Sequence, residues 1–310
     1  MTTWLFTHPA CLTHEMGLHH PESPARLQAI LAALDHDDFA GLVRREAPVA
    51  TVDAIAAVHD RPFVEAVLAA VPRSGSVALD PDTSLSAGSG EAALRAAGAV
   101  IAAIDAVLAG AADNAFCAVR PPGHHAEAAA AMGFCLFNNV AIGAEHARRH
   151  HGLARVAVMD FDVHHGNGTQ HMFEHDGGLF YASTHQSPLY PGTGAARERG
   201  VGNICNAPLP PGAGSAEFRA AFGDIVVPAL DRFRPELLLI SAGFDARRAD
   251  PLAELELETA DYAWATAALR GVADRHCGGR LVSALEGGYD LDALAASAAA
   301  HVRALMAPGR

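Results

Sequence analysis

Five stretches of the chain are apolar almost without interruption: AFCAVR (115–120), RVAVMDFD (155–162), LFYASTH (179–185), ELLLISAGFD (236–245) and RLVSALEGG (280–288). Runs of that length, rich in Val, Ile, Leu and Ala and without polar alternation, describe strands covered on both faces. Between them, apolar positions recur at helical spacing. In 89–109, Ala97, Val100, Ile101, Ile104, Val107 and Leu108 make one stripe. Ser89 is placed as its N-cap, Glu91 suits the first turn, and Gly110 suits the position after the last turn. The same pattern predicts helices over 138–151 (closed by Gly152), 215–233, 256–276 and 290–306. Strands alternating with helices predict an α/β fold with a mostly parallel sheet flanked by helices on both faces. No repeat, linker or charge block divides the chain, so one domain over 1–310 is expected.

Composition narrows the class. Half of the 310 residues are hydrophobic, enough for a large core. A formal charge of -13, with only 22 basic residues and no cluster of them, argues against a nucleic-acid partner. The most apolar helical run, 96–109, is broken by Asp105 and falls short of the roughly 20 residues a bilayer span needs, so no membrane partner is expected. No basic segment followed by an apolar one opens the chain, so no signal peptide is expected. Five scattered cysteines without a C-x-x-C pair suit reduced thiols and a cytoplasmic location.

The chemistry-bearing residues are not scattered. RPPGHHA (120–126), DFDVHHGNG (160–168), GFDARRADP (243–251) and LEGGYD (285–290) each end a predicted strand. Open α/β sheets place their sites at those carboxyl ends. Side chains at i, i+2 and i+4 share a strand face, which would aim Asp160, Asp162 and His164 together. Two carboxylates in an apolar interior need a positive partner. A divalent cation on Asp162, His164 and Asp245 would supply it, and three protein ligands are the pattern of a catalytic zinc. A lone D-x-H is as often a capped turn; the argument rests on the whole set. His124 and His125 suit acid–base work, Asp160 and Asn167 suit holding them, and Tyr289 suits donation to an oxyanion. His14, His19 and His20 are read as an N-terminal loop rim rather than a metal cluster. No G-x-S-x-G elbow marks a serine hydrolase.

Together, HHPESPARL (19–27), RPPGHHA, GFCLFNNVAIGA (133–144), VMDFDVHHGNGTQ (158–170), STHQSPLYPGTG (183–194), SAGFDARRADPL (241–252) and LEGGYD closely resemble the zinc-dependent histone deacetylases, above all the class II and bacterial deacetylase-like amidohydrolases. The resemblance implies the arginase/deacetylase fold, with a sheet of about eight strands. It implies one Zn²⁺ on Asp162, His164 and Asp245, a ligand set that also accepts Fe²⁺ or Co²⁺. It assigns His125 as general base, His124 as its proton-donating partner, and Asp160 and Asn167 as their orienters. Tyr289 becomes the donor to the acyl carbonyl. Phe134 and Tyr190 become the walls around an aliphatic chain, with His20, Gly133, Gly287 and Leu252 along the substrate path. A structural K⁺ is implied near Asp160, Asp162, His164, Ser183 and Thr184. Three positions depart from the usual pattern: Tyr190 for Phe, Arg247 for His, and Leu252 where polyamine-specific relatives carry Glu. The implied reaction is hydrolysis of acyl-lysine in peptides or proteins, with acetylpolyamines or other small acylated amines as the alternative. A dimanganese ureohydrolase and a non-catalytic acyl-ligand sensor are the rivals from other classes.

Overall fold

Ten strands are present in a computed structural model that describes residues 1–308. They are β1 (Thr3–Thr7), β2 (Val43–Glu46), β3 (Ser76–Ala78), β4 (Ser84–Ser86), β5 (Asn114–Cys117), β6 (Val156–Asp160), β7 (Leu179–Gln186), β8 (Ile204–Leu209), β9 (Leu237–Ala242) and β10 (Leu281–Leu285). Eight form one sheet in the order β2-β1-β5-β10-β9-β6-β7-β8, every pair parallel; β3 and β4 make a separate antiparallel hairpin.

Every residue of β5, β6, β7, β9 and β10 is buried. Because successive side chains point to opposite faces, complete burial means both faces are covered. One helical group, Pro24–Leu34, Thr259–His276 and Leu291–Met306, packs together; another pairs Ser89–Leu108 with Asn139–His151. The fold is therefore the single-domain, mostly parallel α/β architecture expected.

The helix ends show why these segments stop where they do. Asn138 caps Asn139–His151 by accepting from the Ala141 amide at 3.1 Å, and Gly152 closes it at φ +69°. Asp290 likewise accepts from the Ala293 amide at 2.8 Å. Ser89 does not cap. It lies inside the first turn with Gly88 before it, and its buried hydroxyl accepts from the Ser86 amide at 2.7 Å and meets His14 Nδ1 at 2.7 Å.

Segment 215–233 is not one regular helix. Ser215–Ala221 passes through a π turn, Phe222–Val226, into Val227–Phe233. Pro228 has no amide hydrogen to give the preceding turn, which releases the ladder there. The helix predicted from 256 begins at Thr259, because Glu256 and Leu257 are taken up in parallel bridges with Gly214 and Arg247.

Candidate active site

Strands β6 and β9 are hydrogen-bonded neighbours whose last paired residues are Asp160 and Ser241. β6 ends at Asp160, so Asp162 and His164 are not on a strand face as expected. They lie in a loop that folds on its own carboxylates. The Asp162 amide donates to Asp160 Oδ1 at 3.1 Å, the His164 amide to Asp162 Oδ1 at 2.9 Å, and the Val163 amide to Asp245 Oδ1 at 2.8 Å.

That folding brings one ligand atom each from Asp162, His164 and Asp245 within 4.8 Å of one another, all three residues buried. His164 Nδ1 stands 3.0 Å from Asp162 Oδ1 and 3.3 Å from Asp245 Oδ2. Glycines let the backbone close around the cluster. A Cβ at Gly243 would sit 2.0 Å from Asp162 Oδ2, and one at Gly287 would sit 2.1 Å from Asp245 Oδ2. The Gly287 amide donates to Asp162 Oδ2 at 2.8 Å. Among the described residues, the buried Asp245 Oδ2 has no hydrogen-bond partner.

The charge balance fits a cation. Burial pushes Asp162 upward, but His124 and His164 outweigh it and hold the carboxyl well below the usual range. Burial, then the Asp162 charge, pushes Asp245 up to about 7. Burial opposes charging of His164, yet its contacts with Asp162 and Asp245 raise it to about 10. Without an ion, the imidazolium is the counter-charge to the acid pair; a divalent cation takes over that role and leaves the ring neutral as a ligand.

Beside this cluster lie His124 and His125, ring centroids 4.0 Å apart. His124 Nδ1 is 2.9 Å from Asp160 Oδ2, which also accepts from the Tyr181 hydroxyl at 3.0 Å. His125 Nδ1 donates to Asn167 Oδ1 at 2.8 Å. A carboxylate behind one ring and an amide behind the other separate their proton affinities. Burial disfavours the charge on His124, but Asp160 prevails and raises it to about 10. Burial, reinforced by His124 and His164, drives His125 well below its ordinary value. The pair holds one proton-rich and one proton-poor imidazole, the division an acid–base couple needs.

A cavity of about 260 Å³ opens over both, lined by His124, His125, His164, Gly133, Phe134, Tyr190, Leu252, Gly287 and Tyr289, together with Asp82, Pro122 and Leu189. Phe134 is held at φ +69°, a strained conformation for an aromatic residue, and its ring meets Tyr289 edge-on at 5.9 Å. His20 reaches the rim by packing its ring against Phe134 at 4.7 Å. Tyr190 meets His125 edge-on at 5.1 Å. Burial keeps the Tyr289 phenol protonated and available as a donor. Ser183 pairs with Asp160 in the β6–β7 register; its hydroxyl meets His185 Nδ1 at 2.8 Å, while the buried Thr184 hydroxyl has no partner among the described residues.

The sequence reading of His14 changes. His14 is no rim residue: it is fully buried, its Nε2 3.5 Å from Glu22, while His19 is exposed. Arg247 donates to the Leu257 carbonyl and to Glu258, each at 2.6 Å. Glu286 was overlooked inside LEGGYD in favour of its glycines and tyrosine. It is buried, accepts from the Gly123 and His124 amides at 2.6 and 3.2 Å, and so fixes the backbone of the histidine pair. Asp82 was also overlooked because no motif surrounds it; its Oδ1 accepts from the Gly133 amide at 3.1 Å at the cavity wall. Arg26, bonded to the Gly288 and Glu286 carbonyls at 2.6 and 2.5 Å, pins the segment carrying Tyr289.

The histone deacetylase domain, as a family model, matches residues 20–305. The chain belongs to the histone deacetylase family. It is similar to histone deacetylase 14 (chloroplastic) of Arabidopsis thaliana, 41% identical over 93% of this chain and 73% of that one. It is equally similar, at 41%, to the histone deacetylase-like amidohydrolase of Pseudomonas aeruginosa, over 93% of this chain and 81% of that one. Human polyamine deacetylase HDAC10 is 43% identical over 68% of this chain and 32% of its own length. The crystal structure of the HDA15 HD domain superposes with a TM-score of 0.92 at 36% identity, covering 98% of this chain and 88% of that one. The protein is therefore a hydrolytic deacetylase of a metal-dependent family acting on acylated amines. No helix among the described residues is long and apolar enough to cross a membrane.

Proposed function

We propose that this deacetylase removes acetyl or related acyl groups from the side-chain amine of acyl-lysine in peptides or proteins, with one zinc ion held by Asp162, His164 and Asp245. The observation that carries this reading is the convergence of Asp162, His164 and Asp245, with Asp245 Oδ2 unpartnered, beside His124 on Asp160 and His125 on Asn167. When bound, the ion supplies Lewis-acid polarisation of the acyl carbonyl and makes a water nucleophilic at neutral pH. The protein's own residues do the rest. Tyr289 donates its hydroxyl hydrogen to the carbonyl oxygen as charge builds on it. His125, neutral and held by Asn167, takes the proton of the attacking water. His124, kept charged by Asp160, holds and delivers a proton to the leaving amine. Phe134 and Tyr190 grip the aliphatic chain and exclude water. Asp160, Ser183 and Thr184, with Asp162 and His164, form the proposed structural potassium site through their backbone carbonyls. Four buried free cysteines and a fifth half-buried one are compatible with the proposed cytoplasmic setting.

Leu252 at the cavity mouth favours acyl-lysine, because a neutral side chain gives no reward to a distant ammonium group. The alternative, acetylpolyamines or other small acylated amines, draws on Asp82, the carboxylate in the cavity wall. A panel of acetyl-lysine peptide, longer acyl-lysines and acetylputrescine, assayed with Zn²⁺, Fe²⁺ and Co²⁺, separates them. The proposal expects the peptides to dominate and Leu252→Glu to shift kcat/KM toward the polyamine; a parent enzyme that prefers acetylputrescine overturns it.

A further inference from the structure

A second cluster of metal-ligating side chains lies far from the cavity. Asp105 sits on Ser89–Leu108, while His146 and His151 sit on the last turns of Asn139–His151, and the two helices pack against each other. Helix 139–151 begins beside the histidine pair, where Asn139 donates to the Pro121 carbonyl at 3.2 Å. His146 and His151 lie about 10 Å and about 18 Å further along its axis, at 1.5 Å per residue.

His146 Nε2 and His151 Nε2 both stand 2.7 Å from one atom, Asp105 Oδ1. The rings are steeply inclined, 70° at 5.5 Å between centroids, and His150 stacks on His146 at 4.6 Å. One ligand atom from each of the three residues lies within 4.8 Å of the others. The nearby guanidiniums of Arg148 and Arg149 are engaged by Asp176 and Glu145, so neither competes for Asp105. About half of the Asp105 side chain is exposed, which leaves room for water to complete a coordination sphere.

We propose that Asp105, His146 and His151 form a peripheral site for a borderline transition-metal ion, Zn²⁺ or Ni²⁺ rather than Mg²⁺ or Ca²⁺, that clamps the two helices together. Two imidazoles beside one carboxylate suit such ions, whereas hard ions favour sets made of oxygen alone. Two nitrogens and an oxygen each about 2.0–2.2 Å from one ion must lie roughly 3.3 Å apart, so the side chains open by about half an ångström from their present hydrogen bonds. In the metal-free state both Nε2 atoms carry hydrogens toward the carboxylate. Binding uses the lone pair of each Nε2, so each ring then places its single hydrogen on Nδ1.

The test is equilibrium dialysis of the full chain, with its catalytic ion in place, against buffered free Zn²⁺ at pH 7.5, alongside Asp105→Asn and His151→Gln. The expected result is a second equivalent per chain in the parent, absent from both variants, with acetyl-lysine turnover the same in all three. At free zinc 100 times Kd, the parent's folding equilibrium gains about 100-fold and its Tm rises, while the variants do not respond. A single equivalent in the parent, or a second equivalent that survives both substitutions, overturns the proposal. So does a Tm response equal in parent and variants.

Discussion

Gly243→Ala probes the site by one methyl group, with no change of charge. Gly243 follows β9 and faces the Asp162 loop. A Cβ there would lie 2.0 Å from Asp162 Oδ2, 2.4 Å from its Cγ and 2.6 Å from its Cα. The last contact is with backbone, which a rotamer change cannot relieve. Ordinary contact begins at 3.4 Å, so the Asp162 backbone and the 243 strand end must part by about 0.8 Å. Metal–ligand distances tolerate only about 0.2 Å. The proposed ligand set should therefore come apart although Asp162, His164 and Asp245 all remain. Overpacking of this size costs about 1–3 kcal/mol of stability, and a displacement near 1 Å at a reacting centre costs about 10²-fold in rate. Metal content after dialysis, kcat on a fluorogenic acetyl-lysine peptide and Tm read the three effects. Gly223→Ala is the control, since a Cβ there meets nothing within 4 Å, and it should leave metal content and turnover unchanged. Parent-level metal and turnover in Gly243→Ala would show that the close packing of β9 against the Asp162 loop does not set the ligand geometry.

Tyr289→Phe should keep the fold and the metal but lose about 10²–10³ in kcat; parent turnover would remove Tyr289 from the role given to it. Chelation should abolish turnover and lower Tm together, because the buried acid pair then lacks its cation; calorimetry with and without chelator checks this. Acid should destabilise the enzyme through His59 and His301, which burial lowers to about 4 and about 3. Both are bonded as neutral rings. His59 Nδ1 donates to the Glu127 carbonyl at 2.9 Å while its Nε2 accepts from the Asn138 amide at 2.9 Å. His301 lies between the Thr266 and Ser283 hydroxyls. Their folded values lie below the unfolded value near 6.5, so stability is complete above pH 6.5. As pH falls from there toward 4 for His59 and 3 for His301, each group removes about 1.4 kcal/mol per pH unit. Urea unfolding at pH 7.5, 6 and 5 measures the slope; a flat profile, or one unchanged in His301→Asn, contradicts it.

The central sheet was legible because its strands are apolar from end to end: AFCAVR, RVAVMDFD and ELLLISAGFD became β5, β6 and β9 within a few residues. The edges were not. β2 reads VRRE, three of its four residues exposed, and β8 reads ICNAPL, where Asn206 and Pro208 interrupt any pattern. Both owe their extended form to a neighbour's backbone rather than to their own side chains. The candidate site stands out in the sequence because titratable residues collect at strand ends, but strand periodicity does not account for their convergence. Asp162 and His164 meet Asp245 through loop hydrogen bonds invisible to strand periodicity. Glu286 and Asp82 act through backbone amides 123–124 and 133, partners far away in the chain that spacing alone does not reveal.

The last paired residues of β6 and β9, Asp160 and Ser241, lock the strand ends that lead to the proposed ligands into one register. The spacing of the two strand ends is thus a property of the sheet, whereas the cavity mouth is drawn from surface segments around Asp82, Tyr190 and Leu252. Evolution can rewrite what enters without disturbing what happens inside. Among descendants of such a scaffold, substrate preference should drift quickly while the hydrolytic step stays the same.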